Sequence, residues 1–108
     1  MPEVGSVKKV GLVGGIGPES TLDYYKGING GYRARMGGGD NPPLIIDSLN
    51  LAEMYELAAN KQWPAFTDRL VGSVKNLVAG GAEFAAMAAN TAHIVFEAVQ
   101  RQSPIPLI

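Results

Sequence analysis

The chain predicts an α/β fold: a parallel sheet of about four strands sandwiched between helices in three layers. Three observations predict it. Short apolar runs of strand type alternate along the chain with longer segments of helical periodicity. Each of the first three runs ends in glycine or small polar residues, with "GGIGPEST" after Val13, "DSLN" after Ile46 and "AANTAH" after Met87. The third run, "AEFAAMAA", has unusually small side chains, as expected of a central strand with helices pressed close on both faces. Right-handed crossovers between parallel strands follow as the natural topology.

Taken in order, Val7, Val10, Leu12 and Val13 form the first buried strand, which a glycine turn ends. Pro18 suits the first turn of a helix, where its missing N–H costs nothing. Leu22, Tyr25, Ile28 and Tyr32 recur at spacings of three and four and give that helix, to about Arg35, one apolar face. "GGGDNPP" ends it. Leu44 to Ser48 is the second strand. Asn50 and Glu53 have the spacing of a capping box, so a short helix is expected from Leu51 to about Asn60. Pro64 opens another helix with Phe66, Leu70, Val74, Leu77 and Val78 as its buried stripe, stopped by Gly80 and Gly81. After the third strand Asn90 can cap a helix in which Ala92, Phe96 and Val99 share a face. "PIPLI" is the expected fourth strand. An apolar run of that kind should continue rather than terminate a protein, so the 108 residues read as one domain of a longer chain.

Composition narrows the function classes. The chain is 46% hydrophobic and 18% charged, with 9 basic against 10 acidic residues. No Lys/Arg cluster exceeds Lys8–Lys9, so nucleic acid is not an expected partner. No apolar stretch approaches the length of a membrane span, and no signal peptide is legible, so the cytoplasm is the expected location. Cysteine is absent and His93 is the single histidine, which excludes disulfides and thiolate metal sites and argues against a histidine-based one.

In parallel sheets ligands bind beyond the carboxyl ends of the strands, which directs attention to three turns. "GGIGPEST" fits a dinucleotide loop poorly. Gly15 and Gly17 supply the first glycine pair, but Ser20 replaces the third glycine, and Pro18 removes an amide. The glycines around Ile16 instead indicate backbone pressed close to a ligand, with Ser20 and Thr21 adding hydroxyls or facing solvent. At "DSLN", Asp47 is either a turn or cap residue or a ligand contact, with Ser48 beside it. "AANTAH" is the strongest site: the N–H groups and side chains of Asn90 and Thr91, at a helix start, suit a carboxylate. His93 is either a general acid/base near neutral pH or a surface histidine.

"GLVGGIGPEST" at residues 11–21 and "AANTAH" at 88–93 together resemble the aspartate/glutamate racemases, the cofactor-independent amino-acid racemases. That family shows a similar glycine-rich loop with a proline and then a Cys-Asn-Thr-x-His turn after the third strand, and the resemblance runs along essentially all 108 residues. It implies two similar α/β domains facing each other, of which this chain is the N-terminal one. It implies an isomerase needing no pyridoxal phosphate, in which one thiol from each domain removes or returns the Cα proton on opposite faces. The substrate would be a small acidic amino acid or dicarboxylate, and the assembly a homodimer. Asn90 and Thr91 would hold the substrate carboxylate, and Gly15, Ile16, Gly17, Ser20 and Ser48 would contact the substrate. Ala89 takes the place of the catalytic cysteine. Alanine has neither a proton to give nor a lone pair to accept one, so the chain is expected not to racemise unaided. Three explanations stay open: an engineered Cys→Ala change, a natural alanine with a changed reaction or binding only, and one-sided proton chemistry involving His93. The alternative function is a non-catalytic binding domain for a small dicarboxylate or amino acid; malonate-type decarboxylases and maleate-type isomerases, which also rely on cysteine, are further relatives in kind.

Overall fold

The computed structural model describes residues 8–37 and 41–108; Val7 and residues 38–40, placed above in the first strand and the first helix-breaking loop, lie outside it. The elements follow the predicted alternation. They are β1 (Val10–Gly14), α1 (Pro18–Met36), β2 (Leu44–Ser48), α2 (Leu51–Ala59), α3 (Trp63–Ala79), β3 (Phe84–Met87), a 3-10 turn (Thr91–Val95) and α4 (Phe96–Gln102). The sheet is parallel, in the order β2-β1-β3, with Leu12 opposite Ile46 on one side and Ala86 on the other.

The expected fourth strand is reduced to one parallel bridge between Leu107 and Ala85. The Ala85 N–H donates to the Pro106 carbonyl at 3.0 Å, and the Ile108 N–H donates to the Ala85 carbonyl at 2.9 Å. Pro104 and Pro106 carry no N–H, so the run "PIPLI" cannot extend the ladder in the way its hydropathy suggests. The bridge still gives β3 a neighbour on each side, and its small residues match that position.

Alternation sorts the side chains onto two faces. Val13, Ala85 and Met87 meet α3, α4 and α2 in a core with Met54, Phe66, Leu70, Val74, Leu77 and Val99. The stripe expected on α3 is the one found, with Val78 half-buried at its margin. Close packing of α3 on β1 depends on Gly11, where a Cβ would come within 3.0 Å of both the Ala82 Cβ and the Leu77 Cδ1. On the opposite face Leu12, Ala86 and Ala88 are buried beneath α1, with Leu44 at the edge. The apolar face expected on α1 is only partly used. Ile28 and Tyr32 are half-buried, whereas Leu22 and Tyr25 stay 60% and 42% exposed. A stripe of apolar residues announces a surface that can be buried, not that a neighbour is there to bury it.

Two polar details were misread or half-read in sequence. Asn50 does cap α2, its Oδ1 accepting from the Glu53 N–H at 2.9 Å. The reciprocal arm of the capping box is missing, because the Glu53 carboxylate pairs with Arg69 at 2.9 Å across to α3. Asp47 is neither cap nor open ligand contact. It lies on the α3 face of β2, where Oδ2 accepts from the buried Ser73 hydroxyl at 2.6 Å and Oδ1 from the Asn76 amide at 3.3 Å. It ties β2 to α3.

Candidate functional site

The three turns at the carboxyl ends of β1, β2 and β3 converge, each through backbone contacts that the sequence permits. The Leu49 N–H donates to the Gly14 carbonyl at 2.8 Å, and the Ala88 N–H donates to the Val13 carbonyl at 2.9 Å, so the flanking turns are both stitched to the end of β1. Gly15 has φ +88°, and a Cβ there would run into the Leu49 backbone and lie 2.6 Å from the Ser48 Oγ. The protein's own backbone thus requires a glycine at this position. The Gly15 N–H donates to the Thr21 hydroxyl oxygen at 3.1 Å, and that hydroxyl donates to the Gly17 carbonyl at 3.1 Å. Thr21 thus fastens the loop to the first turn of α1. Gly17 faces the third turn, with a Cβ placed there 3.3 Å from the Ser20 Oγ and 4.0 Å from the Ala88 carbonyl. Ser20 itself is exposed.

The third turn differs from the helix start that was expected. Residues Thr91–Val95 form a 3-10 turn, Asn90 already has helical backbone angles, and its side chain makes no capping bond. A short 3-10 turn followed by a seven-residue α4 has little aligned dipole, so attraction for an anion rests on the individual N–H groups. The first N–H groups of such a turn have no acceptor within it and are free for a ligand or water. The Asn90 side chain is exposed and Thr91 half-buried at the same place. Ala89, half-buried, packs against the main core. His93 is exposed and points elsewhere: its Nε2 lies 3.1 Å from the Met87 carbonyl, and its ring stacks on Phe96 at 5.6 Å between centroids. A carbonyl oxygen can only accept, so Nε2 is the donor in this contact.

Between the first and third turns opens a cleft of about 330 Å³, lined by Ile16 and Thr91 and then by Leu51, Met54, Tyr55, Ala58, Ala59, Trp63 and Phe66 from α2 and α3. Ile16 and Thr91 are thus brought to one cavity; Gly15 and Ser48 lie against each other, and Gly17, Ser20, Ala89, Asn90 and His93 are not among the residues that line it. The sequence did not single out the α2 and α3 residues. Helical periodicity reads Phe66 as core, which it also is, being fully buried and packed edge-on to Trp63 at 5.5 Å.

The family model for Asp/Glu/hydantoin racemases matches residues 13–108. The chain belongs to that family. Solved structures bear out the fold and the resemblance. An aspartate racemase homologue from Pyrococcus horikoshii OT3 is 40% identical and superposes with a TM-score of 0.85 over 94% of this chain. A protein from Yersinia pestis assigned as an Asp/Glu racemase is 32% identical, with a TM-score of 0.89 over 93% of this chain. The chain spans 44% of the length of each. It is an Asp/Glu racemase-like α/β domain, and its family belongs to the isomerases. Among the described residues of this racemase-family domain, no helix is long and apolar enough to cross a membrane. No three His, Cys, Asp or Glu residues among them are grouped to hold a metal ion.

Proposed function

We propose that this chain supplies one wall of a cofactor-independent amino-acid racemase site, as the N-terminal half of a two-domain protein. The substrate carboxylate is received by N–H groups and side chains at Asn90–Thr91, and its Cα faces Ala89. The observation that carries this reading is the convergence of Ile16 and Thr91 on one cleft beyond the carboxyl ends of a parallel sheet. Donors fixed by the fold favour both the bound carboxylate and the negative charge that grows on it as the Cα proton leaves.

Inversion at Cα needs a base on one face and an acid on the other. Ala89 offers neither, so this wall binds and positions but moves no proton. In this reading His93 is a bystander, since it does not line the cleft. A binding-only role for a small carboxylic acid is the second reading, and the methyl group of Ala89 is the observation in its favour.

One variant separates them. Ala89→Cys, joined to whatever coding sequence lies beyond Ile108, is expected to exchange the Cα proton of an amino acid with deuterium from solvent, read by proton NMR. The parent chain is expected to bind without exchange. If the thiol variant binds amino acids and still exchanges nothing, binding alone is the function.

A further inference from the structure

We propose that the amino acid this site takes has a neutral, apolar side chain, of the kind carried by leucine, methionine or phenylalanine, rather than a second carboxylate. This rests on the racemase reading above and assigns the cleft beside Thr91 to the substrate's side chain. The cleft, at about 330 Å³, falls within the size of small-molecule sites. Its walls are Ile16, Leu51, Met54, Tyr55, Trp63 and Phe66, with hydroxyls only on Thr91 and Tyr55. Thr91 lines it and is also one of the two residues proposed above to receive the carboxylate.

None of the 9 Lys and Arg side chains lines it, and all of them lie among the described residues. Two are engaged elsewhere: Lys9 donates to the Gly80 carbonyl at 3.1 Å, behind α3, and Arg69 pairs with Glu53. The strand-end turns add Glu19 and Asp47 but no Lys or Arg. A carboxylate laid against this wall loses its hydration and finds no cation, whereas a branched aliphatic or aromatic group gains by leaving water. The physics therefore selects against aspartate and glutamate on this side of the substrate.

Trp63, the single tryptophan, lines the cleft and reports its occupancy. The test is an NMR titration of the chain joined to whatever coding sequence lies beyond Ile108, with leucine, methionine, aspartate and glutamate in both hands, following the Trp63 indole signal and the amide signals of Asn90 and Thr91. Leucine or methionine is expected to perturb both reporters, with a Kd at least about tenfold below that of aspartate. Leu51→Arg, on an exposed position of α2, is expected to reverse that order. Aspartate binding as tightly as leucine, with shifts at Thr91, would overturn the side-chain assignment and leave the racemase reading standing. A Trp63 response without shifts at Asn90 and Thr91 would separate the cleft from the carboxylate position and overturn both. So would silence at both reporters for every ligand. A Leu51→Arg chain that folds and keeps the parent's order would also remove the cleft from recognition.

Discussion

On one face of the sheet, Val13, Ala85 and Met87 meet Phe66, Leu70, Val74 and Val99, all closed to solvent. On the other, Leu12, Ala86 and Ala88 carry the burial beneath α1, while Leu22 and Tyr25 of that helix remain exposed. Both faces come from the same strands, whose side chains alternate between them. What differs is the cover. The packed face has three helices, each contributing apolar residues at helical spacing, and the other has one. Stability in the described domain is therefore concentrated on the α3 side, and that same side forms the back of the candidate cleft through Met54, Trp63 and Phe66.

The largest test of this contrast is Phe66→Ala, which empties the centre of the packed face. It is expected to cost about 3–5 kcal/mol in denaturant unfolding. A loss no larger than that from trimming the α1 face would refute the asymmetry. Next comes Gly15→Ala, at the seam where the turns of both faces meet. The positive φ costs about 1–3 kcal/mol by itself, and the Leu49 backbone must also move. The NMR signals of Ser48, Leu49 and Ile16 should shift together if the loop is held as described. Ser73→Ala removes the hydroxyl bound to Asp47 and is expected to lower stability by about 1–2 kcal/mol. An unchanged unfolding midpoint would mean that β2 is held to α3 by apolar contact alone. The smallest effect belongs to Leu22→Ser, expected to change stability by within about 0.5 kcal/mol because that side chain is already in water. A larger loss would show that α1 is better covered in solution than its exposure indicates.

Much of this was legible beforehand because local chemistry writes it directly. Asn50 three residues before Glu53 marks the start of α2, and the spacing of Phe66, Leu70, Val74 and Leu77 marks both α3 and its buried side. The two turn motifs marked the family and the end of the sheet where Ile16 and Thr91 reach the candidate cleft. Asp47 was misread because its partners, Ser73 and Asn76, lie a whole crossover away in the chain. The cleft residues of α2 and α3 were missed for a related reason. An apolar side chain lining a cavity and one filling a core obey the same periodicity.

The sequence by itself determined the order of elements, the parallel sheet, the placing of the turns and the alanine at position 89. These follow from backbone preference and side-chain chemistry within short windows. Tertiary structure alone decided that the fourth strand is one bridge, that Gly15 makes room for the Leu49 backbone, that His93 turns toward Met87 and that the cleft wall is apolar. Each depends on which atoms meet across distant segments, and that is set by how the faces pack rather than by any residue's own preference.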